Sequence, residues 1–171
     1  MLGHSFEGVV ERYYEPLYKF AFSLSRTEAD ACDLTQQTFY IWATKGHQLA
    51  DVTKTKTWLF TTLHRAFLQK RRRETRFPHH ELVETDADLP FTLPVIAADL
   101  DASHALEALS RVDEIYQAPV ALFYLEDCSY KEIAEVLDVP IGTVKSRLAR
   151  GLSQLKKLLT TAVEGPNRRE P

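Results

Sequence analysis

Residues 129–155 contain the pattern that most restricts what this chain can fold into. Ser129 and Glu132 have the spacing of a capping box, in which a hydroxyl and a carboxylate satisfy free backbone donors at a helix start. Apolar residues then recur at helical spacing as far as the Asp-Val-Pro sequence at 138–140, where a helix should stop because the residue before a proline avoids the α region. A second helix is expected to start within residues 141–143, so the stretch predicts two helices joined by a short turn.

The second of these helices separates its apolar residues from its charges. The positions that predict a buried stripe are Val144, Leu148, Leu152 and Leu155. No acidic residue lies between Asp138 and Glu164, so the remaining surface is basic. A helix-turn-helix with cations off its buried face suits insertion into the DNA major groove, although a charge run taken alone would also fit a solvated face. The candidate DNA contacts are Thr143, Lys145, Ser146, Arg147 and Arg150.

Residues 5–73 predict three further helices. In the first of them, apolar residues recur at three- and four-residue steps, which indicates an amphipathic helix. Thr27, with Asp30 three residues later, has the spacing of a second helix cap. The helix that follows should end where a polar loop begins, at residues 46–53. A long third helix is expected from the end of that loop to a basic run at residues 70–73.

The middle of the chain differs in composition from both ends. Residues 74–101 contain three prolines, carry a formal net charge of −6 and lack helical periodicity, which indicates an extended linker. Residues 102–163 predict a compact helical unit that includes the two helices described first, and residues 164–171 predict a frayed tail. The predicted class is therefore all-α, with two small helical domains, 1–73 and 102–163, joined by an extended acidic linker.

The formal net charge of −3 conceals this division. Residues 1–73 carry +4 and residues 102–171 carry −1, so the acidity belongs to the linker. A sequence pI of about 6.1 therefore does not argue against nucleic-acid binding by either helical domain.

Several functions and locations find no support in the sequence. There is no apolar run long enough to span a membrane and no signal-peptide pattern, so a cytoplasmic protein is expected. Cys32 and Cys128 are far apart and match no metal spacing, and they are expected to be small buried or half-buried residues. His79-His80 lack cysteine partners and make a poor metal site. An enzyme with an appended DNA-binding module is disfavoured, since no nucleophile elbow or phosphate loop is present, and no cofactor or metal is expected.

Three segments carry a resemblance to a known family. They are residues 31–39, Trp58-Leu59 followed by a helix ending in Arg72-Arg73, and Glu132-Ile133-Ala134 with residues 142–147. In this order they resemble the sigma-70 family of RNA polymerase sigma factors, in its extracytoplasmic-function class, over about residues 6–160. The resemblance implies a region 2-like bundle, a region 4-like helix-turn-helix and no enzymatic activity. It also implies three partners: core RNA polymerase through its clamp and flap regions, promoter DNA and, as a candidate, an anti-sigma factor.

The resemblance also implies roles for residues of both domains. The basic helix would read the upstream (−35) promoter element. The helix of residues 31–39 looks like the one that docks on the polymerase clamp, with contacts at Asp33, Gln36, Gln37 and Phe39. The third helix would melt the downstream (−10) element, which requires aromatic platforms for unstacked bases and cations for the strand. The candidates there are Lys54, Lys56, Trp58, Thr61, His64 and Arg65.

Core packing is the alternative role for Phe39 and Trp58, and it is the expected role of Trp42. Solvated surface is the alternative for Gln36 and Gln37.

Two residues of the third helix depart from the family pattern. Relatives typically carry Asn where this chain has Arg65, and often Asp where it has Gln69, which favours a divergent promoter preference. The loop at 46–53 resembles the position where these proteins hold a flipped base. The acidic linker is similar to a segment that threads towards the polymerase active-site cleft, where an extended anionic chain could mimic RNA.

A stand-alone helix-turn-helix regulator is the alternative to a sigma factor. Its first domain would dimerise or sense a ligand, and such proteins bind two-fold half-sites. A monomer that needs polymerase for tight promoter binding would count against it.

Overall fold

The computed structural model describes residues 5–76 and 100–163, and within these ranges every regular element is helical. The α-helices are α1 (Phe6–Ser25), α2 (Glu28–Lys45), α3 (Thr55–Arg76), α4 (Leu100–Ser110), α5 (Glu114–Tyr124), α6 (Tyr130–Leu137) and α7 (Ile141–Val163). Two short 3₁₀ helices, Gly46–Gln48 and Val52–Lys54, connect α2 to α3. The predicted all-α class is confirmed. Most of the linker, His79-His80 and the tail lie outside the described residues.

Side-chain caps start the helices where the sequence predicts them. The Ser129 hydroxyl accepts a bond from the Glu132 amide at 3.1 Å, and the Glu132 carboxylate accepts one from the Ser129 amide at 2.7 Å, so the predicted capping box is present. The Thr27 hydroxyl accepts a bond from the Asp30 amide at 3.2 Å and caps α2. Helix α3 begins only at Thr55, because Val52–Lys54 form a 3₁₀ turn, and it continues past the predicted basic end to Arg76.

Helices α1, α2 and α3 share one core. Its largest fully buried side chains are Leu17, Phe20, Leu34, Leu59, Phe60 and Leu63. The rings of Phe20 and Phe60 lie 5.3 Å apart, so α1 and α3 meet through an aromatic pair. This packing holds α2 and α3 in place.

Helices α4 to α7 form the second unit. Leu109, Val112, Leu122 and Ile133 are fully buried there, and Val144 brings α7 onto the same core. The buried Gln117 side chain donates to the Ser110 and Val112 carbonyls at 3.1 and 2.8 Å, which ties α5 to the end of α4. Gly151 lies where α7 crosses α5. Helix α5 therefore packs on both helices of the helix-turn-helix, α6 and α7.

Both cysteines are free thiols, and both were predicted to be buried or half-buried. Cys32 is half-buried and Cys128 is buried. Within residues 5–76 and 100–163, no helix is long and apolar enough to cross a membrane.

Candidate nucleic-acid interface

The first face of the candidate interface lies on α7. Val144 and Leu148 are buried, with exposures of 0% and 3%, so the opposite side of the helix is turned to solvent. Of the predicted DNA contacts, Lys145, Ser146 and Arg150 are exposed, and Thr143 and Arg147 are half-buried at the edges of the same face. The Ser146 hydroxyl donates to the Thr143 carbonyl at 3.1 Å. The structure thus brings all five predicted residues together on one helix.

The turn before α7 sets the direction of that face. Asp138 adopts a left-handed conformation, with φ 54° and ψ 51°, and its amide donates to the Ala134 carbonyl. The Pro140 carbonyl then accepts bonds from the amides of Thr143 and Val144 at 3.0 and 3.2 Å. Helix α6 therefore ends at a left-handed cap formed by Asp138. The residue whose conformation Pro140 restricts is the next one along the chain.

Within the described residues, the cations at the start of α7 have no ionic partner. Across the two described ranges, the ion pairs involve other residues, and none includes Lys145, Arg147 or Arg150. Since no acidic residue lies on this helix, the face presents uncompensated positive charge. Such a face suits a polyanion better than a neutral protein surface.

The second face follows the first half of α3. Trp58, Thr61 and Arg65 are spaced by three and four residues, which places them along one side of the helix. Arg65 is exposed and Trp58 is half-buried. The ring of Trp58 meets the ring of Trp42 edge-on, with centroids 5.2 Å apart. Trp58 is therefore anchored in the domain and still has an accessible edge.

Lys54, the last residue before α3, and Lys56, in the first turn of α3, contact the second domain. The Lys54 ammonium lies 3.3 Å from the Glu135 carboxylate of α6. The Lys56 ammonium donates to the Glu126 backbone carbonyl at 2.6 Å. These two predicted DNA contacts thus have partners in the second domain, and no local sequence pattern indicated those partners.

A cavity of about 380 Å³ opens beside this second face. Its lining comprises Phe6, Trp42, Ala43, Gly46, His47, Leu49, Val52 and Thr55, so the predicted loop at 46–53 forms much of its wall. Gly46 has an ordinary helical φ of −59°, but a Cβ there would lie 2.6 Å from Cδ2 of Trp42. Only glycine therefore lets the loop pass this close to the indole. Phe6, far away in sequence, had no local signal that could have placed it here.

A basic groove of about 310 Å³ lies further along α3. It is lined by Gln69, Arg72, Arg73 and Arg76. Gln69 is one of the two residues that depart from the family pattern, and its place among three guanidinium groups suits contact with phosphates.

His64 lies on α3 as a neutral side chain at physiological pH. Burial, followed by the positive charge of Arg65, lowers the pKa of His64 to about 4. Its imidazole can therefore exchange hydrogen bonds with a base or a backbone, but it adds no positive charge to the face.

Replacement of His64 by Gln is expected to reduce the loss of folding stability that occurs as the pH falls. The folded-state pKa lies below the ordinary value of 6.5, so the unfolded chain takes up the proton and stability is lost as pH falls from 6.5 towards 4. Urea unfolding of both proteins at about pH 7.5 and about pH 5 should show a smaller loss for the variant. Parallel losses would contradict the assignment, because other titrating groups contribute equally to both proteins.

A third face lies on α2. Asp33, Gln36 and Gln37 are exposed, as a protein-docking surface requires, whereas Phe39 is only 6% exposed and stacks on Tyr14 with centroids 6.3 Å apart. Phe39 therefore supports the helix from inside. Tyr40 is 71% exposed and completes the i, i+3, i+4, i+7 spacing that begins at Asp33. Sequence reasoning missed Tyr40, although this spacing could have identified it.

Both domains match models of a single family. The model for "Sigma-70 region 2" matches residues 9–77, and the model for "Sigma-70, region 4" matches residues 105–155. Together the two matches cover more than two thirds of the chain, in the family's order. The chain belongs to the sigma-70 family. Region 2 thus comprises most of α1 to α3 with the cavity and the α2 face, and region 4 contains the basic part of α7.

Individual sigma-70 relatives agree with this assignment. The ECF RNA polymerase sigma factor SigE of Mycolicibacterium smegmatis is 32% identical over 164 residues, which are 91% of this chain and 62% of SigE. The ECF RNA polymerase sigma factor SigM of Bacillus subtilis is 28% identical over 91% of this chain and 95% of its own length. The sigma factor RpoE of Bartonella quintana, solved with the anti-sigma factor NepR, is 27% identical, with a TM-score of 0.73 and coverage of 91% and 96%. These matches place the chain in the extracytoplasmic-function class.

Proposed function

We propose that this protein binds core RNA polymerase and directs it to specific promoters as a sigma factor of the extracytoplasmic-function class. The observation that carries the proposal is the presence of both sigma-70 regions in order. Each region presents a free polar or basic face on its predicted functional helix. Because core polymerase works in the cytoplasm, we expect the protein there.

Helix α7 is proposed to read the upstream (−35) element. Its Lys145 and Arg150 side chains are exposed and form no ion pair with the part of the chain that the structure describes, so they are available to base edges and phosphates. Arginine reads guanine through a bidentate pair of hydrogen bonds, a contact that separates the correct base from others by about 1–3 kcal/mol. Thr143, Ser146 and Arg147 surround these two residues at the start of the helix.

Helix α3 and the cavity are proposed to open the downstream (−10) element. A base that leaves the stack needs a pocket with an apolar or aromatic wall and hydrogen-bonding groups. The cavity offers Phe6 and Trp42 as walls, with His47 and Thr55 as polar groups, and its 380 Å³ falls in the usual range of ligand pockets, roughly 300–1,000 Å³. Thr61, His64 and Arg65 would hold the separated strand beyond it. Arg65 and Gln69 would shift which downstream sequence is preferred.

The α2 face is proposed to dock on core polymerase. Asp33, Gln36, Gln37 and Tyr40 form a polar surface with one exposed aromatic ring, a composition that suits a protein interface. An anti-sigma factor is a further proposed partner, since the structurally similar RpoE of Bartonella quintana was solved with one. A stand-alone regulator is not favoured, because it would leave the matched region 2 without a role.

Binding to bacterial core RNA polymerase, followed by transcription from a promoter library, tests the proposal. We expect a complex with the purified polymerase and initiation at one recurring two-part motif. Failure to bind core polymerase, with two-fold symmetric DNA sites selected instead, would support the stand-alone regulator.

Replacement of Arg150 by Ala is expected to weaken upstream-element binding by about 1–3 kcal/mol and to relax the base preference at one position. The control is Lys156→Ala, which removes an exposed cation of the same helix beyond the matched region. Binding of the polymerase complex to a set of single-base variants of the selected promoter measures both effects. Equal weakening on all sequences would make Arg150 a phosphate contact, and an unchanged affinity would make it a solvated residue.

A further inference from the structure

Ala149 lies in the middle of the exposed face of α7. Within residues 143–152, all of which the structure describes, the exposed side chains are those of Lys145, Ser146, Ala149 and Arg150. Lys145 and Ser146 precede Ala149 by about one helical turn, and Arg150 follows it directly. Three of these four side chains carry a charge or a hydroxyl group, so Ala149 presents a bare methyl group among polar neighbours.

The short side chain of Ala149 affects how closely α7 can approach DNA. The major groove is about 12 Å wide and an α-helix with its side chains is about 10–12 Å across, so the helix fits with little room to spare. Successive residues are turned by about 100°, which directs Lys145 and Arg150 to opposite sides of Ala149. The two cations can therefore reach the sides of the groove while the methyl group of Ala149 faces the base edges between them.

A bare methyl group restricts the kind of base that can lie against it. In the major groove, guanine presents two acceptors, cytosine an amino donor, and adenine an acceptor with an amino donor, whereas thymine presents a methyl group beside its acceptor. A polar edge covered by a methyl group loses water without gaining a hydrogen-bond partner. Contact between two methyl groups instead removes apolar surface from water. The position of Ala149 therefore favours thymine.

We propose that Ala149 selects a thymine of the upstream (−35) element by contact with its C5 methyl group, beside the base pair that Arg150 reads. This inference rests on the proposed function, because a base preference of α7 has a meaning only if α7 lies in the major groove. Ala149 is then a specificity-determining residue, which reads its base by apolar contact, whereas Arg150 reads its base by hydrogen bonds.

Replacement of thymine by uracil tests this contact directly. Uracil lacks the C5 methyl group but pairs with adenine in the same way, so the sequence and its hydrogen bonds are retained. Each thymine of the selected upstream element is replaced in turn, on both strands, and binding of the complex with core polymerase is measured. We expect a position at which uracil lowers the affinity about fourfold, the usual effect of one buried methyl group. Equal affinity at every position would overturn the proposal.

Ala149→Gly identifies the protein side of the contact, because it removes the methyl group and nothing else. Thymine and uracil should then bind equally well at the sensitive position. The ratio compares two DNAs with the same protein, so a loss of helix stability caused by glycine cancels. A fourfold preference for thymine that persists in this variant would overturn the assignment. The uracil scan uses the wild-type protein, so it tests the proposal even if Ala149→Gly does not fold.

Two other side chains near the start of α7 carry methyl groups and provide matched controls. Ile141 is 43% exposed, and Thr143 is half-buried. Ile141→Ala shortens the first, and Thr143→Ser removes a methyl group while it keeps the hydroxyl. Both variants should retain the fourfold preference at the thymine assigned to Ala149. Loss of that preference in either variant, with its retention in Ala149→Gly, would place the contact elsewhere and overturn the proposal.

Failure of the proposed function would look different from failure of this inference. In the first case, the wild-type protein with core polymerase would select no upstream element, and no thymine could be scanned. In the second case, the element would be selected, but uracil would replace each of its thymines without loss of affinity.

Discussion

Replacement of Gly151 by Ala is expected to destabilise the second domain by about 1–3 kcal/mol, the usual range for an extra methyl group in a packed core. A Cβ at this position would lie 2.4 Å from Cγ2 of Val120 and 2.9 Å from Cβ of Tyr116. Val120 is fully buried, and neither atom is the far end of a flexible side chain. The two helices must therefore move apart, and α7 would carry the residues proposed to read the upstream element with it.

The matched control is Gly142→Ala in the same helix. No heavy atom lies within 4 Å of a Cβ at Gly142, so the helix preference for alanine over glycine should leave this variant as stable as the wild type or more stable. Urea unfolding measures the stability of both variants, and binding to the upstream element measures the position of α7. Equal stability of the Gly151 and Gly142 variants would show that α5 and α7 do not pack as described.

Replacement of Gly46 by Ala is expected to close or distort the cavity beside Trp42. The added Cβ would lie 2.6–2.9 Å from three atoms of the indole ring, which cannot bend and packs against Trp58. Relief therefore requires the loop or the indole to move by several tenths of an ångström at least. If this overpacking costs about 1–3 kcal/mol, the affinity for the downstream element should fall about fivefold to 150-fold.

A pair of DNA probes separates this effect from general unfolding. A forked promoter fragment with an unpaired downstream element should bind the Gly46→Ala complex more weakly, while a duplex containing only the upstream element should bind it as the wild type does. Gly142→Ala again serves as the control, because it introduces the same methyl group into open space. Unchanged binding to the forked fragment would show that the cavity takes no part in binding the downstream element.

The sequence predicted what local chemistry determines. The Ser129–Glu132 box and the Thr27 cap are short-range signals, and both helix starts are where those signals place them. The start of α3 was predicted one or two residues early, because Val52–Lys54 form a tighter turn that looks the same in sequence. Its continuation to Arg76 was also missed, because a basic run marks a helix end only through a weak dipole effect that good helix formers override.

The parts that were not predicted depend on contacts between distant residues. Phe6 joins the cavity wall, and Lys54 and Lys56 meet the second domain, only because of how the helices pack. His64 was predicted as a residue of the melting helix, but its neutral state follows from burial that no local pattern reveals. The α2 face is an intermediate case, because Tyr40 follows from helical spacing once the faces of the helix are known.

The basic face of α7 makes the proposed binding to DNA sensitive to the ionic composition of the cell. Within residues 5–76 and 100–163, Lys145, Arg147 and Arg150 form no ion pair, so each proposed phosphate contact would be exchanged mainly against condensed counterions. The logarithm of DNA affinity should then fall with the logarithm of salt concentration by about 0.9 for each phosphate engaged. A change in intracellular potassium would consequently alter how long the factor stays on non-specific DNA, while leaving its preference among base sequences largely intact.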